Sequence, residues 1–409
     1  MEIMKLIKIT TSYPSYLKTF YSKHNDHLSK SYTVLKSIFD YDAMGWADFW
    51  SNALNSFGYE VMEISLNNES LQRRWALENS LPNANKMTLN EIVIEQVLRF
   101  SPEIVWFDHF DENLLNKILH ISPSISLVMG WAAGTGVPLK SNIWSNMDVI
   151  LSCTPELVDL LKEKGHYAIQ LHHGFDPRIN SRLQEREKCI ELSFVGQIVR
   201  ESRFHSRREK LLQELCKRFP IQIYSPEPET SIKSDLKNIL GYGKYKMFQK
   251  LKHFDLLRKR FDGFSILEEF PPGTEYSLLP LKKRMPSFFR PAVFGLDMYQ
   301  ILKDSKITVN IHADASPTHA SNMRLFEATG VGTCLITDWK KNIKELFEPD
   351  KEIVTYKSAD ECVEKVEWLL THPKEREEIA KAGQVRCLRD HTYSGRAIRL
   401  DKIIKSLMV

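Results

Sequence analysis

The fold is decided by the stretch Asn310–Asp338, NIHADASPTHASNMRLFEATGVGTCLITD. It predicts a strand, a loop, a short helix, a glycine turn and a second strand, which is the repeating unit of a parallel α/β sheet. The helix is expected to begin near Asn322, with Arg324 and Glu327 in its first turn. The first amides of a helix lack partners and carry partial positive charge, so they attract anions. An arginine there can bind phosphate and a carboxylate can accept hydrogen bonds from a ribose. The unit therefore predicts a site for a nucleoside diphosphate.

Apolar strands and amphipathic helices alternate in both directions from this unit. The predicted strands outside it are Lys5–Thr10, Tyr59–Leu66, Ile104–Phe107, Ile125–Met129, Val149–Ser152, Ala168–Leu171, Glu191–Gly196, Ile221–Tyr224 and Ile353–Tyr356. Helical stripes lie between them, for example over Met44–Phe57 and Pro155–Lys164. The pattern stops at a turn-rich and polar segment near 175–188 and then starts again. The expected fold class is α/β, with two Rossmann-like doubly wound domains, 1–177 and 186–392, facing each other across a cleft.

Bulk composition is that of a globular protein in a reducing compartment. The chain has 409 residues, 43% of them hydrophobic and 26% charged, which predicts two domains and a sizeable core. A net charge of +4 is too small to indicate nucleic acid as a partner. The six cysteines show no CxxC spacing, which argues against a zinc site and a disulfide framework. With neither a secretory signal nor a membrane-spanning run in the sequence, a cytoplasmic protein is expected.

Residues 227–300 are predicted to be a basic helical insertion, because lysines, arginines and aromatic residues alternate there without a clear strand pattern. Three interpretations stay open: a solvated face, contact with anionic lipid headgroups at the inner face of a membrane, or contact with RNA. The first is the usual case. The last is the weakest, because no RNA-binding module accompanies the segment.

Several motifs in the second half resemble one known family. They are FVG at Phe194–Gly196, VFGLDMY at Val293–Tyr299, NIHAD at Asn310–Asp314, NMRLFEATGVG at Asn322–Gly332 and AGQVRCLRDHTY at Ala382–Tyr393. In combination they resemble the CgeB-like (spore-protein-type) glycosyltransferases, which are similar to the family-4 retaining glycosyltransferases of GT-B fold. In the first half the resemblance is carried mainly by Asp40–Val61.

The resemblance implies a donor site, mostly in the second domain, and a C-terminal helix at 393–409 that crosses back to the first. Family-4 enzymes carry two glutamates separated by seven residues, of which the second holds the ribose; Glu327 takes that place, whereas His319 stands where the first would be. The resemblance assigns the remaining donor contacts to Gly196, Ser321, Asn322, Met323, Arg324 and a basic residue after the FVG strand, for which Arg200, Arg203 and then Arg207 are the candidates.

The expected catalytic residues are Asp108 and His109, in WFDHFD after the third predicted strand. Many relatives place a histidine after the fourth strand, but this chain has Trp131 there, and His109 is the candidate substitute. His312 shares a strand face with Asn310 and is either a core histidine or a donor contact. Asp40 and Asp42 form a D-x-D, but they precede a helix and not a strand end, so we interpret them as unrelated to a metal.

The resemblance implies a glycosyltransferase of hexosyltransferase type that moves a sugar from a nucleoside diphosphate sugar to a hydroxyl of a glycan, protein or lipid-linked acceptor. The expected reaction retains the anomeric configuration, needs no metal or other cofactor, and serves bacterial surface glycan or glycoconjugate synthesis. Two alternatives stay open: a nucleotide-sugar epimerase of the same fold, and a non-catalytic sugar-binding or coat-associated protein. The absence of the G-x-G-x-x-G fingerprint argues against a dehydrogenase.

Overall fold

Two six-stranded parallel sheets, each covered by helices, form the protein. A computed structural model describes residues 3–133, 137–199, 206–226, 279–313 and 316–408. Strand order is β2-β1-β3-β4-β5-β6 in the first sheet and β12-β11-β10-β7-β8-β9 in the second. Every strand pair is parallel. The predicted α/β class with two doubly wound sheets is confirmed. No helix among the described residues is both long and apolar enough to cross a bilayer.

The first half of the chain builds the first sheet and its helices. The strands are β1 Met4–Thr10, β2 Tyr59–Ser65, β3 Ile104–Phe107, β4 Leu127–Trp131, β5 Val149–Ser152 and β6 Ala168–Gln170. The helices are α1 Pro14–Lys23, α2 Tyr32–Tyr41, α3 Phe49–Asn55, α4 Glu69–Glu78, α5 Leu89–Phe100, α6 Glu112–Ile121, α7 Pro155–Glu163 and α8 Arg178–Arg182.

The second half repeats the plan. Its strands are β7 Ile190–Val195, β8 Gln222–Tyr224, β9 Phe289–Arg290, β10 Ser305–Asn310, β11 Cys334–Asp338 and β12 Val354–Tyr356. The described helices are α9 Ser206–Arg218, α10 Leu281–Arg284, α11 Gly295–Lys303, α12 Arg324–Gly330, α13 Ile343–Leu346, α14 Ala359–Thr371, α15 Pro373–Asp390 and α16 Tyr393–Leu407.

Two predicted segments differ from the structure. The helix expected over Met44–Phe57 begins only at Phe49, because Ala43, Gly45 and Ala47 have positive φ angles and form a turn. The insertion expected to reach residue 300 ends earlier, since β9 is the edge strand of the second sheet and α11 packs on β7 and β10. Most of the insertion, residues 227–278, lies outside the described residues.

The two sheets share a core where the chain passes from one to the other. Phe175 follows β6, and its backbone N–H donates to the carbonyl of His391 at 2.8 Å, while the N–H of Tyr393 donates to the carbonyl of Phe175 at 3.1 Å. From there α16 packs on α3, and the Tyr393 ring lies between Phe49 and Trp50, at centroid distances of 5.0 and 5.2 Å. The last helix is therefore part of the first half's packing.

Gly330 at the end of α12 permits this junction. A Cβ atom there would lie 2.4 Å from the Phe175 ring, which is buried and has no room to move. The Gly330 carbonyl also accepts from Asn180 and Gln384, both at 3.1 Å. The close approach of helix and ring therefore requires a residue without a side chain.

We expect Gly330→Ala to lower the free energy of unfolding by about 1–3 kcal/mol, the usual cost of overpacking a filled core. Gly395→Ala in α16 is the matched control, because its Cβ would have ordinary contact at 3.6 Å with Thr392 and alanine favours helix by up to about 1 kcal/mol. Chemical denaturation of both variants measures the difference. Equal stability of the two variants would contradict the packing argument.

Candidate functional site

A cleft of about 860 Å³ lies between the two sheets. Its first wall is formed at the carboxyl ends of β1, β2 and β3, where Thr10, Ser65 and Asp108 line the space. Its second wall includes Ala313, after β10, and the loop Ser321–Met323 before α12. In parallel α/β sheets ligands bind beyond the carboxyl ends of the strands, so this is the expected place for a site.

The loop of the second wall is held by side-chain amides. Asn322 donates to Asn310 at 2.7 Å, and Asn310 in turn donates to Thr337 at 2.9 Å, which ties the loop to the ends of β10 and β11. Asn342 accepts from the backbone N–H of Ala320 at 2.7 Å. The helix expected to begin near Asn322 begins at Arg324, and Met323 takes the cap position without a side-chain hydrogen bond. The Asn322 side chain is used to anchor the loop.

Arg324 and Glu327 bind each other. The guanidinium Nη1 lies 2.9 Å from the Glu327 carboxylate, and Nη2 lies 3.4 Å from the sulfur of Met298. The Glu327 side chain is buried, at 8% exposure, and the Arg324 side chain is 14% exposed. Neither lines the cleft, although Met323 beside them does. The sequence assigned Arg324 to a phosphate and Glu327 to a ribose. In the structure the two side chains pair with each other, and the pair lies beside the cleft-lining residue Met323 and not in the cleft itself.

His312 is buried beside a carboxylate. Its Nδ1 lies 2.7 Å from Asp338, and its backbone N–H donates to the same oxygen at 2.9 Å. Burial acts to raise the pKa of Asp338, but His312 and Lys340 outweigh it and hold that pKa well below its usual range. The His312 Nε2 atom is buried with no hydrogen-bond partner. The ring is thus fixed on one side and unsatisfied on the other.

Gly196 and one arginine mark the end of β7. The Gly196 N–H donates to the carbonyl of Tyr224 at 3.1 Å, which extends the ladder between β7 and β8. Arg208 on α9 is buried and donates to the carbonyls of Gln197 and Ile311, at 2.5 and 2.6 Å. The sequence singled out Arg200 and Arg203, which lie outside the described residues, and Arg207, which is exposed. Arg208, the residue that joins the loops after β7 and β10, was missed.

The first wall holds a charged group that sequence reasoning also missed. Lys8 in β1 is fully buried, and its Nζ has no hydrogen-bond partner but lies 3.6 Å from the centroid of the Trp46 ring. Burial lowers the pKa of Lys8, while the nearby Asp108 and Glu63 oppose this. Burial likewise raises the pKa of Glu63, opposed mainly by Lys8. The sequence feature that could have revealed this group is the lysine at position 8, within the apolar strand MKLIKIT.

Asp108 and His109 both line the cleft. Burial raises the pKa of Asp108 to about 6, against the opposing effect of Lys8 and a 2.9 Å hydrogen bond from Thr10. Burial lowers the pKa of His109, against the opposing charge of Asp111, and so favours the neutral imidazole. Trp131, which takes the place of the expected histidine, also lines the cleft.

The two aspartates of the D-x-D face different surroundings. Asp40 lines the cleft and pairs with Lys36 on the same helix at 2.5 Å. Asp42 accepts from the N–H of Leu296 at 3.4 Å and lies against Gly295 of α11. Within the described part of the chain, no three histidine, cysteine, aspartate or glutamate side chains are grouped as a metal site would require.

Glu156 on α7 connects the two walls. One carboxylate oxygen accepts from the N–H groups of Thr318 and His319, at 3.1 and 3.0 Å, and from the Thr318 hydroxyl at 2.5 Å. The same oxygen lies 3.1 Å from the His319 Nδ1. Burial opposes ionisation of Glu156, but these donors lower its pKa to about 2. The histidine at the position of the first motif glutamate therefore contacts a glutamate from the other domain.

The comparisons with known proteins agree with this architecture. Residues 273–402, which include the loop before α12, match the family model described as glycosyl transferase-like. No curated protein sequence matches the chain. The match is confined to the second half of the chain and covers less than half of its length. The narrower CgeB-like type stays a prediction.

Similar solved structures span the whole length. HepE from Anabaena, solved with UDP-glucose, has a TM-score of 0.57 at 10% identity, over 98% of this chain and 100% of that one. Sucrose-phosphate synthase from Thermosynechococcus elongatus has 0.54 at 11%, over 99% of each chain. A glycosyltransferase from Rickettsia africae has 0.53 at 8%, over 100% and 99%. At these identities the similarity concerns the fold, and it confirms the predicted GT-B arrangement.

We expect Glu156→Ala to lower the free energy of unfolding by about 1–3 kcal/mol, because the backbone donors of Thr318 and His319 lose their shared acceptor. Asp159→Ala, an exposed change on the same helix, is the control and should stay within about 0.5 kcal/mol of the wild type. Denaturant titration at neutral pH measures both.

The stabilisation that Glu156 provides should depend on pH. Because the pKa of Glu156 is lowered to about 2 in the folded protein and is about 4.3 in an unfolded chain, its contribution is complete above the unfolded-state value. It is lost as pH falls towards 2. The stability gap between wild type and Glu156→Ala should therefore narrow across that window, and a constant gap would contradict the charge-assisted contact.

Proposed function

We propose that the protein is a glycosyltransferase. Its second domain would hold a nucleoside diphosphate sugar and its first domain an acceptor hydroxyl. One observation carries the proposal: Ser321, Asn322 and Met323 lie on one wall of a single 860 Å³ cleft, and Asp108 and His109 lie on the other. Two substrates bound to opposite walls would meet within it.

The comparisons support the substrate class. The segment that matches the glycosyl transferase-like family contains the loop Ser321–Met323 and helix α12 with Arg324 and Glu327. HepE, which shares the fold, was solved with UDP-glucose and also with UDP. We therefore propose a nucleoside diphosphate sugar as donor and UDP as the first nucleotide to examine.

On the donor side, we propose that the backbone of Ser321–Met323 meets the diphosphate and that Gly196 lets it approach the end of β7. Arg324, with Arg200 or Arg203, would neutralise its charge, and Glu327 would accept from the ribose. The Arg324–Glu327 pair would have to open for this. The helix itself contributes little, because α12 has only seven residues. His312, with its unsatisfied Nε2, is proposed as a further donor contact.

The proposed reaction forms a bond between the acceptor oxygen and the anomeric carbon, while the bond from that carbon to the diphosphate breaks. The electron pair of the broken bond leaves with the diphosphate, and a phosphate oxygen takes the acceptor proton. Negative charge grows on the leaving group and is met by fixed dipoles and cations. Asp108 and His109 are the proposed first-wall contacts to the reacting groups. We propose that the reaction is a hexosyl transfer, retains the anomeric configuration and needs no metal.

The proposed setting is the cytoplasm of a bacterium, in surface glycan or glycoconjugate synthesis. The mild net charge of +4 and the basic residues of the insertion allow contact with an anionic membrane surface. A lipid-vesicle sedimentation assay on the full chain tests that contact separately from activity.

The first test is a thermal-shift panel with UDP, GDP, ADP, CMP and dTDP, followed by calorimetry with the best binder. We expect one nucleoside diphosphate to raise the melting temperature, since a ligand of the folded state stabilises it. Glu327→Gln should weaken that binding at least tenfold, because a neutral amide accepts hydrogen bonds from a ribose less well than a carboxylate does. Asp304→Asn is the matched control, since Asp304 is also buried and paired with an arginine but lies at the amino end of β10, away from the cleft.

The outcomes separate the possible functions. Binding of no nucleotide would overturn the proposal and leave a protein of the same fold with another role. Turnover of the activated sugar to an isomer without acceptor would indicate an epimerase. With an acceptor, NMR of the product's anomeric proton decides whether configuration is retained, and activity unchanged by EDTA is expected for metal-independent transfer.

A further inference from the structure

The first wall of the cleft carries a buried cluster made of one ammonium group, two carboxylates and one indole ring. Lys8 of β1 is in register with Glu63 of β2 and with Trp106 of β3. Side chains two residues apart share a face of a strand, and Asp108 continues the β3 ladder by donating its N–H to Ile9 at 2.8 Å. Lys8, Glu63 and Asp108 therefore project from the same face.

The carboxylates of Glu63 and Asp108 each use one oxygen to accept a hydrogen bond from the protein, and the other oxygen remains available. Glu63 accepts from the N–H of Ser51 at 2.8 Å through Oε1, and Asp108 accepts from Thr10 at 2.9 Å through Oδ2. No donor among the described residues binds the second oxygen of either group. Both residues line the cleft. Two acceptors thus remain available to a ligand that donates hydrogen bonds.

Lys8 explains why two carboxylates can lie here together. Its ammonium has no hydrogen-bond partner and is fully buried, with the Trp46 ring at 3.6 Å. A buried unsatisfied charge calls for an explanation. Burial raises the pKa of both Asp108 and Glu63, and the positive charge of Lys8 opposes that rise and so favours their ionised, hydrogen-bond-accepting forms. Lys36, which does line the cleft, is already paired with Asp40.

The ligand class follows from this chemistry. Asp40 is neutralised by Lys36, which leaves the two carboxylates of Glu63 and Asp108 against the single ammonium of Lys8, so an anionic group such as a lipid diphosphate would meet a net negative charge. A neutral sugar has hydroxyl donors for the free oxygens and an apolar ring face for Trp46, which lines the same wall and is half-buried. Apolar rings with a few placed polar groups are the usual composition of such pockets.

We propose that the acceptor is the terminal sugar of a neutral glycan, bound with its ring against Trp46 and with hydroxyls donated to Asp108 and Glu63. Lys8 acts through the two carboxylates and is a positioning residue. This inference deepens the proposed function and depends on it, because the second domain must supply an activated sugar.

The experiment uses the full chain and the donor identified by the nucleotide panel. Methyl glycosides of glucose, galactose, mannose and N-acetylglucosamine are offered as acceptors beside methyl glucuronide, and products are measured by mass spectrometry. At least one neutral glycoside should accept the sugar, with methyl glucuronide at least tenfold poorer than methyl glucoside. If no glycoside accepts the sugar and transfer is seen only to a lipid diphosphate or a peptide hydroxyl, the acceptor assignment is overturned and the proposed function stays intact. Failure to bind or turn over any donor would instead overturn the proposed function.

Variants locate the subsite. Glu63→Gln should raise the acceptor KM at least tenfold and leave the nucleotide Kd unchanged, whereas Glu60→Gln, an exposed change on the same strand, should alter neither. An unchanged acceptor KM in Glu63→Gln, in protein that still binds nucleotide, would place the acceptor elsewhere.

The role of Lys8 has its own readout. In Lys8→Met the acidic limb of kcat/KM for transfer should move to higher pH, because burial raises the pKa of Asp108 and the ammonium that opposes this rise is gone. The other charged groups that line this wall, Glu63 and the Lys36–Asp40 pair, remain in place. If Lys8 had a purely structural role, Lys8→Met would reduce the amount of active enzyme without moving the acidic limb of the pH profile. An acidic limb at the wild-type pH would therefore overturn the positioning role of Lys8.

Discussion

The exchange of backbone hydrogen bonds between Phe175 and the turn before α16 sets the geometry on which the cleft depends. The chain leaves the first sheet at this point and returns to it through His391 and Tyr393 at the same point. Domains joined by a single linker generally move relative to each other. Here two chain segments cross side by side, and Gly330 brings α12 against the same ring, so the crossing is a packed part of the core.

A second connection between the walls has a different character. The Phe175 junction is apolar and buried. Glu156, by contrast, meets Thr318 and His319 through hydrogen bonds, and the side chains of Glu156 and His319 are 27% and 28% exposed. Partly solvated polar contacts open at lower free energy than packed cores. Any widening of the cleft would therefore break the Glu156 contact first and use the Phe175 junction as its hinge. The loop that carries His319 also leads into Ser321–Met323, so such a motion would move the proposed donor loop directly.

Periodicity was sufficient to predict the architecture but not the interior of the site. Most strands were recognised because strands buried on both faces are short runs of apolar residues. The stretch at 44–57 was misread as one helix because Met44 and Trp46 are spaced like its apolar stripe, although they line the cleft from a turn. Lys8, Glu63 and Arg208 were missed because their importance comes from neighbours on other strands. A single sequence shows that a charge lies in a strand, but not which side chains face it.

The pairing of Arg324 with Glu327 changes how the proposed donor site must work. Removing one member of a buried ion pair leaves an uncompensated charge, which costs about 3–5 kcal/mol. A nucleotide avoids that cost only if it supplies a replacement for each partner, a phosphate for Arg324 and a ribose diol for Glu327. A bare phosphate or a nucleoside offers only one of the two. The ion pair would thus favour ligands that carry both groups over ligands that carry only one.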